Sequence, residues 1–357
     1  MITSEIIAFS PFIQAIRVLS SASISFLIAL LLTPIVMRGL EKFSIRKQIR
    51  TSEEAPIFSN LHKKKEGTPT MGGVIIWGTA ILIAGFFRMM DIFFDGIWTQ
   101  FNFINRAETY LPIAAMLIAA LVGLTDDIFG ILKIGGTKSG GLKVRNKLIL
   151  YTAIALLGAW WFYYRLGWDV LFIPFLGYIN IGIWYLPLFI FVIVASAFSA
   201  NETDGLDGLL GGVSLFTFCA LCAVAFALGR YDLAAFSGVI IGALLAFLWF
   251  NIYPAKFFMG DTGSMALGIT IGVIAMLTNT ALLLPFFAFI FVVESLSVII
   301  QMSSKKIFKR KIFLSTPIHH HFEAKGWHET TVTMRFWIVA AILNVVGVVI
   351  FFLSRIF

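Results

Sequence analysis

The amino-acid sequence predicts an all-α integral membrane protein of about ten transmembrane helices with both termini external, and three observations carry that prediction. Of 357 residues, 59% are hydrophobic and 13% are charged, whereas soluble domains carry about 25% charged residues. The apolar excess, which includes 37 Phe, runs the whole length of the chain, so residues 1–357 read as one polytopic domain. Lysine and arginine are also divided unevenly between alternate loops, the usual mark of a chain threaded through a bilayer.

A helix needs roughly 20 apolar residues to cross a bilayer. Ten windows meet that need: Val18–Leu40, Gly72–Met90, Tyr110–Leu124, Lys147–Tyr164, Trp184–Ala200, Gly208–Gly229, Ala234–Tyr253, Ser264–Leu283, Leu284–Ser304 and Phe336–Leu353. The first follows a segment containing Glu5 and is longer than the apolar part of a signal peptide, so it is expected to be retained. The third is short as drawn and is expected to continue past Thr125. The eighth and ninth nearly touch, and Pro285 is the expected break between them. Between the fourth and fifth, Val170–Tyr185 is rich in β-formers around Gly177 and reads as a short external β-hairpin. Cys219 and Cys222 form a CxxC inside a hydrophobic span, where a thiolate has no polar support. They read as helix packing.

The loops after spans one, three, five, seven and nine contain Lys42–Lys65, Lys133–Lys147, Lys256 and Lys305–Lys325, with most of the basic residues of the chain. The opposite loops hold Arg17, Arg88, Arg106, Arg165, Arg230 and Arg355. The first set is therefore expected to be cytoplasmic. Asp126, Asp127, Asp204, Asp207, Asp261 and all five histidines fall on that same face. Solvated loop surface accounts well for Glu41, Glu53 and Glu54, but poorly for acids flanked by small and apolar residues in TDD, NETDGLDG and MGDTGS. These suggest a catalytic mouth.

Each motif suggests its own chemistry. In Lys65–Gly73 (KEGTPTMGG), glycines beside a helix start would let backbone N–H groups and a lysine meet a phosphate. The spacing is not that of a Walker loop, and close helix packing is the competing reading. Adjacent Asp126 and Asp127 point about 100° apart on a helix, so they are expected to have different jobs. If Asn201–Gly208 is helical, Asp204 and Asp207 share one face. Asp261 opens the eighth span, where a carboxylate and free N–H groups would lie together. Carboxylates with Asn and Thr oxygens suit Mg²⁺, or Mn²⁺, better than Zn²⁺. Three consecutive residues, His319, His320 and His321, cannot all face one ion. Among Lys and Arg they suit phosphate binding or proton transfer. Glu294 lies inside the ninth span, where an acid is either functional or hydrogen-bonded to a neighbouring helix.

Taken together, KEGTPTMGG, Leu124–Asp127 (LTDD), Asn201–Leu209 (NETDGLDGL), Asn251–Ser264 (NIYPAKFFMGDTGS) and Pro317–Glu323 (PIHHHFE) resemble the phospho-N-acetylmuramoyl-pentapeptide transferase family, within the polyprenyl-phosphate N-acetylhexosamine-1-phosphate transferases. The resemblance runs over essentially the whole chain in motif order. Glu202 departs from it, standing where the family usually has an apolar residue.

The resemblance implies transfer of phospho-N-acetylmuramoyl-pentapeptide from its UDP carrier to undecaprenyl phosphate in a bacterial inner membrane, with release of UMP and dependence on Mg²⁺. It implies Asp261 as the Mg²⁺ ligand and Asp126 as base or nucleophile at the lipid phosphate. Asp127, Asp204 and His319 would support catalysis or bind phosphate. Lys65, Thr70, Asn201 and Asn251 would line the phosphates, and Gly205, Leu206, Asp207 and Phe258 would form a uridine pocket. Partners would be these two substrates, membrane lipid and a second copy of the chain, with no nucleic acid. Two rival functions are transfer of N-acetylglucosamine-1-phosphate to a polyprenyl phosphate and transport of an anionic solute or lipid. Transporter sites sit near the bilayer centre, often between repeats. The polar residues here cluster at one face.

Overall fold

A computed structural model describes residues 10–43, 45, 65, 67–94, 96–104, 107–135 and 140–356. All ten apolar windows are helical. In chain order the helices are α1 (Pro11–Lys42), α2 (Val74–Phe93), the short α3 (Ile97–Phe101), α4 (Ala107–Ile131) and α5 (Val144–Trp160), which runs on into a π-helical turn, Trp161–Arg165. Next come the strands β1 (Val170–Ile173) and β2 (Gly177–Asn180), then α6 (Tyr185–Thr203), α7 (Leu209–Ala227), α8 (Tyr231–Asn251) and α9 (Asp261–Leu277). The chain closes with α10 (Leu284–Phe287), α11 (Phe289–Ile307), α12 (Ile318–Ala324) and α13 (Glu329–Ile356). Among the described residues eight helices are long and apolar enough to cross a membrane, and a bent pair makes a ninth. The protein is an all-α multi-pass membrane protein.

The bend corrects the expectation at Pro285. That proline sits in the first turn of α10, where its missing N–H has no helical acceptor to lose. The break between the eighth and ninth windows is instead the turn after α9, at Thr278–Thr280, and inside the ninth window the chain bends at Ala288, where the axes on either side differ by 89°. The third span does continue past Thr125, to Ile131.

The core is built around α8 and α9. Every residue of α9 from Thr262 to Leu277 is buried, because α4, α6 and α7 pack around it. At 17 residues it is about 26 Å long, less than the roughly 30 Å of a hydrocarbon layer. A protein sheath makes that length tolerable, since none of its backbone faces lipid. Glycine sets how closely α4 approaches. A Cβ at Gly123 would stand 2.5 Å from the Asp261 carbonyl carbon and 2.6 Å from Thr262 Cα, so the start of α9 is pressed directly against the α4 backbone. Outer helices show apolar side chains to their surroundings, as Leu19, Leu27 and Leu31 do on α1 and Ile338, Ile342 and Val345 on α13.

The hairpin forms as the β-former pattern predicts, with Val170 opposite Asn180 and Ile173 opposite Gly177. Asn279, in the turn after α9, holds it. Its Oδ1 accepts the Phe172 N–H at 2.9 Å, and its Nδ2 donates to the Val170 carbonyl at 2.9 Å.

Candidate active site

Successive spans alternate in direction, so the C-terminal ends of α4, α6 and α8 lie at the same end of the bundle as the starts of α2, α5, α7, α9 and α13. Every candidate site residue stands at one of these ends or in a segment joining them.

The first group centres on Lys147, in the first turn of α5. Its Nζ lies 2.7 Å from Asp126 Oδ2 and 2.8 Å from Asp261 Oδ2. Asp126 is 2% exposed, and its Oδ1 accepts the Leu142 N–H at 2.5 Å. Asn201 Nδ2 donates to Asp261 Oδ1 and, at 3.0 Å, to Ser264 Oγ. One ammonium group, which sequence reasoning left unassigned among several loop lysines, thus joins Asp126 to Asp261, and Asn201 is tied to them through Asp261. Lys138, another of these, lies outside the described residues.

Asp127 points elsewhere. Its Oδ1 accepts the Asp261 N–H at 3.1 Å and its Oδ2 the Thr262 N–H at 2.9 Å. It caps α9 from a neighbouring helix, placing a carboxylate where free N–H groups and the helix dipole favour negative charge. The two adjacent aspartates do have different partners. The cap also corrects an expectation: the N–H groups of Asp261 and Thr262 are taken, while those of Gly263 and Ser264 donate to Gly260 O.

A second correction concerns KEGTPTMGG. The N–H groups of Gly72 and Gly73 donate to Phe258 O and Met259 O at 2.8 Å each, and Phe258 N–H donates to Pro69 O at 2.8 Å. These glycines stitch the segment before α2 to the segment before α9, so they offer no N–H to a phosphate. Gly260 lies at the seam with φ +77°, and a Cβ there would stand 2.7 Å from Asp127 Oδ2 and 3.0 Å from Thr70 Oγ1. Only glycine fits. Thr70 is buried beside it.

The second group centres on Lys65. Its Nζ pairs with Asp207 Oδ1 at 2.6 Å and with Glu329 Oε1. Glu329 also accepts the Asp207 N–H at 2.7 Å, and Asp207 Oδ2 accepts the Ala255 N–H at 3.0 Å. Asn251 ties the surrounding loops, accepting the Gly208 N–H at 3.1 Å and donating to Phe257 O at 2.7 Å. The Lys65 ammonium lies 5.9 Å from the ring centre of half-buried Phe258 and 6.0 Å from that of exposed Tyr253. Sequence reasoning missed Glu329. Its one signal was an acid at a helix start, which many helices carry.

Asp204 and Asp207 do not share a helix face. α6 ends at Thr203, and the next five residues form turns and a bend. Asn201, in the last turn of α6, belongs to the first group, and the irregular stretch carries Asp207 to the second. Leu206 is buried, while Asp204 is half-buried.

The three histidines diverge, as consecutive residues must. His319 Nδ1 lies 3.0 Å from Glu294 Oε2, and His320 Nδ1 lies 2.6 Å from Glu323 Oε2. His321 Nδ1 accepts the Leu314 N–H at 3.1 Å. Partial burial and Lys325 hold the His321 imidazole below its usual pKa, which keeps it neutral near pH 7. The His319 ring presses on Gly205, where a Cβ would meet its Cε1 at 2.7 Å. The turn after α6 therefore touches the second group through Asp207 and the histidines through Gly205.

Among the described residues no three His, Cys, Asp or Glu side chains are grouped to hold a metal ion. Asp261 is a hard oxygen donor beside a cation already bound, and its side chain keeps 25% exposure.

A family profile described as glycosyl transferase family 4 matches residues 110–279. A profile described as phospho-N-acetylmuramoyl-pentapeptide-transferase signature 1 matches residues 65–76. The chain is 38% identical over 330 residues to the phospho-N-acetylmuramoyl-pentapeptide-transferase of Clostridium novyi, covering 92% of this chain and 94% of that one. It is 38% identical over 334 residues to the protein of the same name from Anoxybacillus flavithermus, covering 93% and 97%. With that of Clostridium kluyveri the identity is 39% over 339 residues, covering 93% and 98%.

Proposed function

The chain belongs to the phospho-N-acetylmuramoyl-pentapeptide-transferase family, and from that premise we propose that it moves the phospho-sugar from a UDP carrier onto undecaprenyl phosphate at the cytoplasmic face of a bacterial inner membrane, releasing UMP. The observation that carries the residue assignment is Lys147, whose ammonium joins Asp126 to Asp261. These are the residues that the motif resemblance sets on the lipid-phosphate side and the metal side of the reaction.

The central difficulty is repulsion. A phosphate monoester has a second pKa of about 6, so near pH 7 the lipid phosphate is largely a dianion and must approach an anionic pyrophosphate. Mg²⁺ held at Asp261 would supply charge neutralisation at the phosphates. Lys147 adds a fixed positive charge between the two carboxylates, and Asn201 orients the Asp261 carboxylate by hydrogen bonding to it. The lipid phosphate oxygen attacks the β-phosphorus, a new P–O bond forms, and the bond to the UMP oxygen breaks.

Direct attack is favoured over a covalent aspartyl intermediate. Near pH 7 the lipid phosphate is itself largely a dianion and can attack without a covalent relay. Asp126 Oδ1 accepts the Leu142 N–H, and Oδ2 lies 2.7 Å from Lys147 Nζ. Asp126 therefore acts by positioning the lipid phosphate through Lys147 or by taking its remaining proton. Around Lys65, the exposed Tyr253 and half-buried Phe258 rings beside an Asp207 carboxylate suit the stacking and polar contacts of a uracil base.

The deciding experiment incubates purified protein with undecaprenyl phosphate, Mg²⁺ and each UDP-sugar in turn and detects UMP. UMP release with the muramoyl-pentapeptide carrier alone is expected. Turnover of UDP-N-acetylglucosamine would move the chain to the sister activity, and no turnover with any carrier would remove the transfer reading.

A further inference from the structure

Glu329, Thr333 and Trp337 are spaced by four residues, so they lie on one face of α13. Each bonds the backbone of the same turn. Glu329 Oε1 accepts the Asp207 N–H at 2.7 Å, Thr333 Oγ1 donates to the Asp207 carbonyl at 3.3 Å, and Trp337 Nε1 donates to the Gly208 carbonyl at 3.1 Å. Glu329 Oε1 also pairs with Lys65 Nζ, whose second partner is Asp207 Oδ1. One helix face therefore holds both members of the Lys65–Asp207 ion pair.

That face is itself held. Glu329 and Thr333 are buried, and a Cβ at Gly212 on α7 would stand 2.5 Å from Trp337 Cζ2, so the indole is seated against the α7 backbone. The Lys65 ammonium is thereby tethered beside the Tyr253 and Phe258 rings. A lysine carries hydrogen-bond donors only, so it matches a carbonyl edge of a base and mismatches an amino edge. Uracil has a carbonyl at C4, where cytosine has an amino group. A tethered donor cannot turn away from the mismatch, and a site built around a fixed hydrogen bond rejects the analogue that lacks it.

We infer that Glu329, Thr333 and Trp337 are positioning residues: this face of α13 fixes the Asp207–Gly208 turn and the Lys65 ammonium beside Tyr253 and Phe258, and so sets how tightly and how selectively the pyrimidine nucleotide binds. This rests on the reading of that pocket as the uridine site.

The test measures calorimetric binding of UMP and of CMP to the full chain in lipid nanodiscs, together with KM and kcat for UMP release. The wild-type protein should bind UMP more tightly than CMP. Trp337→Phe keeps a ring but loses the N–H, and should weaken UMP binding by about 3- to 10-fold, the scale of one lost hydrogen bond. Glu329→Gln keeps an oxygen for the Asp207 N–H but gives up the ion pair with Lys65, and should weaken UMP at least as much. Glu329→Leu loses both contacts and should weaken it most. In each variant KM for the nucleotide sugar should rise by the same factor, kcat should change less than about threefold, and the preference for UMP over CMP should narrow. Unaltered UMP affinity in Trp337→Phe and Glu329→Gln, a loss confined to kcat, or equal weakening of UMP and CMP would overturn the inference, because a general loosening of the fold does not tell the two bases apart. Should Glu329→Leu fail to assemble, Glu329→Gln and Trp337→Phe decide the matter by themselves. Wild-type protein that binds UMP and CMP equally would remove the uridine reading of the pocket, and the inference with it.

Discussion

Asp126 and Asp261 come from different helices, yet Lys147 Nζ holds one at 2.7 Å and the other at 2.8 Å. Removing the ammonium leaves Asp126 buried with an uncompensated charge, a change that costs about 3 kcal/mol or more in a closed site. Asp261 is 25% exposed and lowers that cost. Lys147→Met is therefore expected to reduce UMP release at least about 100-fold and to lower stability by about 1–3 kcal/mol. Lys147→Arg should restore most of the stability and little of the rate, because a planar guanidinium cannot reproduce a point charge between two carboxylates. Thermal unfolding and UMP release, measured on the same preparations, check both halves.

Asp261→Asn removes the negative charge that would balance Mg²⁺ while keeping the shape of the side chain. Turnover should disappear at any Mg²⁺ concentration, with an unfolding temperature close to wild type. The α9 cap comes from Asp127, so the helix start does not depend on the Asp261 carboxylate. Wild-type rates at saturating Mg²⁺ would remove Asp261 from the metal site.

Asp126 distinguishes the two mechanisms. If the lipid phosphate attacks directly, no stoichiometric UMP should appear when enzyme meets the nucleotide sugar without lipid. A quenched-flow burst, with a phosphosugar adduct mapped to Asp126, would contradict direct attack. The lipid phosphate loses its last proton with a pKa of about 6, so a proton-accepting role matters less as pH rises. The residual rate of Asp126→Asn, relative to wild type, should then increase between about pH 7 and pH 9.

Orientation is testable at two exposed positions. A cysteine at Lys143, just before α5, should react with membrane-impermeant maleimide only from the cytoplasm, while one at Leu176 in the hairpin should react from outside. Asn102 is a poor external probe because it is buried against Asp91. Labelling of Lys143→Cys in sealed cells would invert the topology and move the site to the external face.

The sequence by itself determined the membrane class, the helical windows, the hairpin and the face on which the acids gather. These properties depend on apolar length, turn residues and the division of charge between loops, all of which can be read along one dimension. It also marked most of the polar residues that the fold brings to one end of the bundle, because short polar motifs stand out between long apolar runs. Tertiary packing decided their partners. Gly72 and Gly73 look like phosphate donors until the Phe258–Met259 backbone is seen to take their N–H groups. Asp127 looks like a twin of Asp126 until it is found capping α9. Lys147 and Glu329 carry no motif that reveals their partners. A helix places its own side chains at fixed angles, but the group a buried charge meets belongs to whichever helix packs opposite it, and that choice is made by the three-dimensional fit of the whole bundle.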